Sequence, residues 1–375
     1  MTSAEVLASL PPLRVEGRVD KLRGVMAERE LDGFVVSGLS SLRWLTGFTG
    51  SNGAAVVTAD GFTLVTDGRY ATQAPVQLAE AGCSASIVLD RWLVTGAAVA
   101  LGSARRVALE ADVVTWSVVQ RWESEVSDVV ALIPTARVLT ELRAMKDAAE
   151  LARIAKAANI TDGVLSGVEE LLVSGVTERE IGQALDDGIR ASGASGPGYE
   201  TIVGSGPNAA LPHARPTDRV METGDLVVID VGGLVDGYRS DMTRTFVIGG
   251  AAAASKTAIE IHSLVTKAQA AGVATVRPGI EAREVDEACR SIIRNAGHGE
   301  HFGHGTGHGV GLDIHELPSV HATDTAILQP GHVLTVEPGV YLPGVGGVRV
   351  EDLLVVTETG CRSLTLSPKL HLSPS

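Results

Sequence analysis

The sequence predicts an α/β (α+β) protein with a small mixed α/β N-terminal domain over residues 1–137 and a larger, pseudo-symmetric domain over residues 138–375. The length of 375 residues fits two domains, since a domain usually has about 100–200 residues. Short apolar runs alternate with helical patterns in the first part. In the second part, helical segments alternate with two strand pairs that resemble each other, and this repeat indicates internal symmetry.

The N-terminal part contains helix, strand and hairpin signals in turn. Apolar residues at helical spacing over residues 19–26 predict a helix, and the apolar run 34–36 predicts a strand. Residues 54–58 and 62–66 flank an Asp-Gly pair, which is typical of a β-hairpin. A further apolar run at residues 107–109 predicts another strand. These alternating elements predict a mixed sheet.

The second part opens with a segment rich in Ala, Leu, Lys and Glu, which predicts one long amphipathic helix from Asp147 to about Leu172. Another helix begins at Thr177, because Thr177 and Glu180 have the spacing of a capping box. That helix is predicted to cover residues 177–192, and two further helical patterns cover residues 260–271 and 281–297.

The runs GDLVVID, residues 224–230, and GHVLTVE, residues 331–337, form a weak internal repeat. Each begins with Gly and ends six residues later in a carboxylate. A returning strand then carries a second carboxylate, Asp241 in the first copy and Glu351 in the second, 11 and 14 residues further on. Two copies of this helix–hairpin unit predict a pseudo-symmetric domain with acidic side chains converging at its centre.

The charge balance excludes two classes of partner. Lys and Arg total 31 and Asp and Glu total 45, which gives a net charge of −14. We therefore expect binding neither to nucleic acid nor to an anionic membrane, since both require a basic face. The three cysteines are far apart in sequence and indicate neither a disulfide framework nor a Cys-rich zinc site. Without a recognisable secretory signal or a bilayer-spanning apolar run, we expect a cytoplasmic protein.

Carboxylates on apolar strands suggest a metal site. Asp230, Glu337 and Glu351 lie among apolar residues, and acidic side chains are rarely buried unless they are paired or bound to metal. Arg244 or Arg349 could neutralise one acid, but the four acids of the repeat need more positive charge. A pair of divalent ions bridged by carboxylates is the simplest solution. Individually, Asp241 or Glu351 could instead cap a turn in solvent.

Residues 301–316 are unusually rich in histidine and glycine, with four and five copies respectively. The glycines disfavour a helix and allow backbone to approach a ligand or metal closely. Imidazole suits Mn, Fe, Co, Zn and Ni, whereas several carboxylates favour a hard ion such as Mn. No G-x-S-x-G elbow, Walker loop or dinucleotide-binding glycine motif is present. The residues therefore support metal-activated water as the nucleophile.

The sequence resembles the pita-bread dinuclear metallopeptidases, which include Xaa-Pro aminopeptidase, prolidase and methionine aminopeptidase. The similarity covers about residues 140–375. It rests on SGPNAALPH (205–213), VVIDVGG (227–233), GYRSDMTRT (237–245), HGTGHGVGLDIHE (304–316), VEPGVY (336–341) and GVRVED (347–352). WLTGFTGSNG (44–53) and TDGRYATQA (66–74) resemble the creatinase-like N-terminal domain of the proline-specific branch.

The resemblance implies a role for particular residues. The implied metal ligands are Asp230, Asp241, His308, Glu337 and Glu351, with Asp241 and Glu351 bridging two divalent ions. The implied catalytic residues are His213, His304, His315, Glu337 and Arg349. Glu337 would take a proton from the water between the metals, and the three histidines would contact substrate or handle protons. Manganese is the first choice, with Co, Zn and Fe as alternatives.

The implied activity is that of an Xaa-Pro aminopeptidase acting on peptides with proline at the second position. Xaa-Pro dipeptidase (prolidase) is the alternative, because the two differ in whether the N-terminal domain blocks longer peptides and captures the product-side carboxylate. The segment WLTGFTGS favours the aminopeptidase. We expect a homodimer, the commonest oligomer of soluble enzymes.

Three other functions on this scaffold are less favoured. Creatinases work without the metal site, whereas all five ligand positions are kept here. Methionine aminopeptidase does not need an N-terminal domain of this size. A non-catalytic pita-bread binding module would have lost ligands. A metal titration separates the last possibility from an enzyme.

Overall fold

Residues 2–369 are described by the computed structural model, and they fall into two units. One comprises residues 12–143, and the other comprises residues 2–11 and 144–369. This division differs from the predicted boundary after residue 137. The first helix, α1 (Ser3–Ala8), groups with the larger unit because Val6 packs into the same apolar core as Ile181 and Leu185.

The smaller unit is built on a mixed sheet with strand order β4-β3-β2-β1-β5-β6. Its strands are β1 (Gly33–Val36), β2 (Gly53–Thr58), β3 (Phe62–Thr66), β4 (Ser86–Leu89), β5 (Arg106–Glu110) and β6 (Ala131–Thr135). Its helices are α2 (Arg18–Glu28), α3 (Leu39–Thr46), α4 (Gln73–Ala81), α5 (Leu93–Ala100), α6 (Trp116–Glu125) and α7 (Val138–Ala144). Strands β2 and β3 form the predicted hairpin, and β1 pairs in parallel with β5.

The long helices of the larger unit are α8 (Ala148–Leu165), α9 (Glu178–Ala191), α10 (Lys256–Thr275) and α11 (Ala282–Asn295). Two of them, α8 and α9, begin at the predicted caps, whereas α10 begins four residues before its predicted start at residue 260. Asp147 with Glu150 caps α8, and Thr177 with Glu180 caps α9, each as a reciprocal capping box. The prediction that α8 continues to Leu172 was wrong. The helix ends at Leu165, and after Gly167 the chain forms only a short 3₁₀ turn.

The strands of the larger unit form two principal sheets, β12-β9-β8 and β14-β13-β15-β18-β19, and two small ones, β11-β10-β7 and β16-β17. The first group is β7 (Gly196–Pro197), β8 (Ile202–Ser205), β9 (Leu226–Asp230), β10 (Gly233–Val235), β11 (Tyr238–Arg239) and β12 (Thr243–Val247). The second group is β13 (Gly307–Gly309), β14 (Glu316–Val320), β15 (Val333–Val336), β16 (Gly339–Leu342), β17 (Gly346–Arg349), β18 (Asp352–Val356) and β19 (Cys361–Ser363).

The larger unit has the predicted pseudo-symmetry. Strand β9 pairs antiparallel with β12 around the hairpin β10–β11, and β15 pairs antiparallel with β18 around the hairpin β16–β17. A pair of long helices precedes each copy. Strand β9 is buried on both faces, with Val227 and Val228 packing into different apolar cores. This accounts for its unbroken apolar run, which ends in the buried Asp230.

Within residues 2–369, the helices lack the combination of length and apolar character that crossing a bilayer requires.

Candidate active site

The four carboxylates of the sequence repeat lie at the ends of paired strands. Asp230 ends β9, Asp241 lies shortly before β12, Glu337 follows β15 and Glu351 precedes β18. Thr243 connects the two copies, because it pairs with Asp230 in the sheet and its carbonyl oxygen accepts from the Glu351 N–H at 3.1 Å. Burial of these strands therefore places the acids at the centre of the larger unit.

His308 lies on β13, beside these carboxylates. Its Nε2 atom is 3.5 Å from Oδ2 of Asp241 and 3.4 Å from Oε1 of Glu337. Its Nδ1 atom is 3.0 Å from the carbonyl oxygen of Gly309, which assigns the proton to Nδ1 and leaves Nε2 free to bind a cation. Strand β13 begins and ends with glycine because the neighbouring strands β14 and β15 leave no space for a side chain at Gly307 or Gly309. A Cβ atom at Gly307 would collide with the backbone oxygen of Thr335.

The donor atoms fit a divalent cation. Ligand atoms of Asp241, His308 and Glu351 all lie within 4.8 Å of one another. The Glu351 Oε1 atom is buried and makes no hydrogen bond within the described chain. Burial, followed by neighbouring carboxylates, raises the pKa of Asp241 and of Glu351 well above the usual range, and burial raises the pKa of Glu337 to about 8. A bound cation would offset this concentration of negative charge.

Arg349 is a buried cation whose nitrogen atoms are all engaged. Its Nη2 donates to Oδ2 of Asp230 at 2.7 Å, and its Nε donates to the Thr243 hydroxyl at 3.0 Å. Its Nη1 donates to the carbonyl oxygen of Pro212 at 3.0 Å and to the Tyr341 hydroxyl at 2.9 Å. Arg349 thus fixes one carboxylate of the cluster and the backbone next to His213.

The histidines named in the sequence analysis surround the same cavity. His304 contacts the Tyr341 hydroxyl through Nε2 at 2.9 Å and the carbonyl oxygen of Gly305 through Nδ1 at 2.7 Å. The ring of His315 lies edge-on to that of His308, with centroids 4.3 Å apart. Burial lowers the pKa of His304 and of His308 to about 4, and it also lowers the pKa of His315. These three imidazoles are therefore neutral near pH 7.

A cavity of about 430 Å³ brings nearly all of these groups together. The predicted site residues on its wall are His213, Asp230, Asp241, His304, His308, His315, Glu337 and Arg349. Glu351 lies behind this wall, where its Oε2 accepts the Thr243 hydroxyl hydrogen.

Tyr199 was missed by sequence reasoning. Its hydroxyl contacts Oδ1 of both Asp230 and Asp241, and its side chain lines the cavity. One hydroxyl proton can serve only one of the two carboxylates at a time. An isolated Tyr in SGPGYE carries no motif that could have identified it.

Glu178 was also missed, although it organises the segment that carries His213. This fully buried residue begins α9, and its carboxylate accepts hydrogen bonds from Ser205, Asn208 and Thr217. The sequence shows only a second acid inside a capping box, between Thr177 and Glu180. The three-dimensional contacts give it a different role, which is to hold both ends of the 205–217 segment.

Family comparisons agree with this architecture. The Metallopeptidase family M24 model matches residues 152–358, which is more than half of the chain, and the Creatinase/Prolidase N-terminal domain model matches residues 18–145. The chain belongs to metallopeptidase family M24. The predictions of a pita-bread fold, a creatinase-like N-terminal domain and a peptidase activity are thereby confirmed.

Individual M24 relatives carry names from both proline-specific groups. The Xaa-Pro dipeptidase of Pyrococcus horikoshii is 42% identical over 228 residues, which cover 61% of this chain and 64% of that protein. The structure of the Xaa-Pro dipeptidase from Bacillus anthracis has a TM-score of 0.90 at 34% identity, covering 95% of this chain and 99% of that one. The X-Pro aminopeptidase structure from Thermotoga maritima has a TM-score of 0.84 at 31% identity, covering 94% and 98%.

Membership in family M24 makes this chain a metallopeptidase, a hydrolase that acts on peptides with the help of divalent metal ions. The carboxylate cluster with His308 provides the fitting donor set.

Proposed function

We propose that this M24 peptidase is an Xaa-Pro dipeptidase, which hydrolyses the bond between an N-terminal residue and a C-terminal proline. The sequence alone favoured the aminopeptidase, but the comparisons give more support to the dipeptidase alternative. The observation that carries this choice is the similarity over nearly the full length of both chains to the Bacillus anthracis Xaa-Pro dipeptidase, together with a carboxylate–histidine cavity suited to metal.

The proposed metal ligands are Asp230, Asp241, His308, Glu337 and Glu351. The short distances from His308 to Asp241 and Glu337 support this set, as does the unpartnered Oε1 atom of Glu351. Four carboxylates and one imidazole make an oxygen-rich donor set, which favours Mn²⁺ over softer ions. Two ions per chain are proposed, with Co²⁺, Zn²⁺ and Fe²⁺ as alternatives.

When bound, divalent ions would lower the pKa of water and polarise the scissile carbonyl group. The residues of the chain supply the rest. Glu337, on the cavity wall beside His308, would accept the proton that the water gives up. His213 and His315, on the cavity wall, can donate hydrogen bonds to the oxygen on which negative charge develops. Arg349 holds Asp230 in place through a hydrogen bond. His304 contacts the hydroxyl of Tyr341, to which Arg349 also donates.

The test measures hydrolysis of two proline peptides by the purified protein with Mn²⁺ added. Ala-Pro and Ala-Pro-Ala contain the same scissile bond, and Ala-Ala serves as the control without proline. We expect hydrolysis of Ala-Pro with a higher kcat/KM than that of Ala-Pro-Ala. A higher kcat/KM for the tripeptide would favour the Xaa-Pro aminopeptidase over the dipeptidase. Hydrolysis of neither proline peptide would overturn both.

Two further expectations belong to this proposal. We propose a homodimer, to be checked by light scattering coupled to size-exclusion chromatography. We also propose a cytoplasmic location, which agrees with the free thiols of Cys83, Cys289 and Cys361 because reducing compartments keep cysteines unpaired.

A further inference from the structure

Arg215 lies on the wall of the catalytic cavity, two residues after His213. Its side chain is 80% exposed, and its Nη2 atom is 3.0 Å from Oε2 of Glu200, whose side chain is 60% exposed. An exposed pair of this kind contributes little to stability, because water solvates both charges well. Another carboxylate can therefore replace Glu200 on the Arg215 guanidinium at small cost.

The other arginine of the cavity wall, Arg349, is buried and already engaged. Arg349 is 2% exposed, and its donors are occupied by Asp230, Thr243, Tyr341 and Pro212. Arg215 is thus the arginine of this cavity wall whose guanidinium a substrate can reach.

We infer that Arg215 is the specificity-determining residue that binds the free carboxylate of the substrate's C-terminal proline. The inference rests on the proposed Xaa-Pro dipeptidase activity. A dipeptide carries its carboxylate directly on the residue after the scissile bond, and guanidinium matches carboxylate in a two-pronged geometry. A neutral or displaced C-terminus cannot form this pair, so Arg215 selects dipeptides over peptides that continue beyond proline.

A second cavity adjoins the catalytic one at Arg215. This cavity of about 410 Å³ shares Tyr199, Glu200, Thr201 and Arg215 with the catalytic one. Each additional residue extends a peptide by at most about 3.6 Å. The carboxylate of a tripeptide would therefore lie further from the scissile bond than that of a dipeptide. Glu200, paired with Arg215, would repel the carboxylate of either peptide when it binds at the arginine.

The two charges predict opposite effects on substrate affinity. The substrates are Ala-Pro and Ala-Pro-NH₂, which share the scissile bond and differ in the C-terminal charge. Arg215→Gln should raise the KM for Ala-Pro by about tenfold, the lower end for a hydrogen bond to a charged group, with little change in kcat. Glu200→Gln should lower the KM for Ala-Pro. Neither change should alter kcat/KM for Ala-Pro-NH₂.

Arg179→Gln is the matched control. Arg179 lines the second cavity but not the catalytic one, and its exposed side chain pairs with Asp218 at 2.6 Å. The Arg179→Gln variant should keep the wild-type acid-to-amide ratio, which is kcat/KM for Ala-Pro divided by kcat/KM for Ala-Pro-NH₂. Circular dichroism of all variants checks that they fold alike.

The possible results separate the two proposals. Wild-type protein that cleaves neither substrate with Mn²⁺ defeats the dipeptidase assignment and this inference with it. Wild-type cleavage with an unchanged acid-to-amide ratio in Arg215→Gln defeats only the inference. Equal losses on both substrates also defeat it, because they indicate a structural role. A selective loss on Ala-Pro in Arg215→Gln, with a gain in Glu200→Gln, supports it.

Discussion

The hydroxyl of Thr243 donates to Oε2 of Glu351 at 2.7 Å, while the second carboxylate oxygen, Oε1, is buried with no hydrogen bond in the described chain. A buried polar atom without a partner typically costs about 1–3 kcal/mol. Such a group persists where another ligand satisfies it. We propose that a metal ion does so here, because donor atoms of Asp241 and His308 lie close to those of Glu351.

Removal of metal should abolish peptidase activity. Dialysis against a strong chelator is expected to bring Ala-Pro hydrolysis to background, and addition of Mn²⁺ or Co²⁺ should restore it. The physical reason is that, among the described residues, neither serine nor cysteine lines the cavity to replace metal-activated water as the nucleophile. Metal content by mass spectrometry should follow activity. Full turnover in a sample shown to be free of metal would contradict the dinuclear assignment.

Asp241→Ala and His308→Ala should lose metal and activity while the fold survives. Each change removes a donor atom from a cluster whose members lie within 4.8 Å. Both variants should also lose the stabilisation by added Mn²⁺ that wild-type protein gains through binding. The measurements are ions bound per chain, turnover and thermal unfolding with and without metal.

Asp218→Ala is the control for these ligand variants, because its side chain is 82% exposed and lies outside the cluster. It should bind metal normally. Two ions per chain and near-normal turnover in Asp241→Ala or His308→Ala would remove that residue from the ligand set.

The sequence located the acids and the helix caps because each has a local signature. Apolar strands ending in Asp230 and Glu337 predicted buried charge, and the Thr177–Glu180 spacing predicted the start of α9. The end of α8 was not predictable in this way. Helical apolar spacing continues to Leu172, but the helix ends at Leu165 ahead of the Ser-Gly pair.

Other parts of the site depend on contacts between distant segments. Tyr199 approaches Asp230 across 31 residues, and Glu178 meets Thr217 across 39. Neither pair follows from a motif or a periodic pattern. The grouping of residues 2–11 with the larger unit has the same origin, since it depends on where Val6 finds an apolar core.

Metal binding should release protons near neutral pH. Burial raises the pKa of Glu337 to about 8, so this carboxyl is largely protonated at pH 7 without metal and must lose its proton to become a ligand. Metal affinity should therefore fall as pH decreases below 8, by up to about tenfold per pH unit for each proton displaced. Calorimetry in buffers of different ionisation enthalpy counts the protons. No proton release at pH 7 would contradict this ligand role.

Glu178→Ala should destabilise the protein and disturb the 205–217 segment. The buried carboxylate accepts from the N–H group and the hydroxyl of the buried Ser205 and from the N–H group of Thr217, so its removal leaves the buried Ser205 donors without this partner. We expect a decrease of about 2–4 kcal/mol in the free energy of unfolding, since several such groups are affected. Denaturant unfolding measures it. Glu180→Ala, an exposed capping-box change, is the control, with an expected loss of about 1 kcal/mol. A loss no greater than the control's would argue against this role.

His213→Ala and His315→Ala should retain metal and lose most of their turnover. Neither residue belongs to the proposed ligand set, although both lie on the cavity wall. Their imidazoles can donate to the scissile carbonyl or to the tetrahedral intermediate, where charge develops in the transition state. Removal of one such donor typically costs about 10²–10³ in kcat.

The alternative is that His315, packed edge-on against His308, only supports the position of that ring. In that case His315→Ala would alter stability or metal affinity and leave kcat nearly intact. His321→Ala is the matched control, because this exposed histidine forms hydrogen bonds with Thr323 and Asp324 in its own turn and is not among the residues that line the cavity. Metal content and kcat are measured for the three variants and wild type. Loss of metal in a variant would indicate that the substituted histidine is a ligand. An unchanged kcat would indicate that it takes no part in the chemical step.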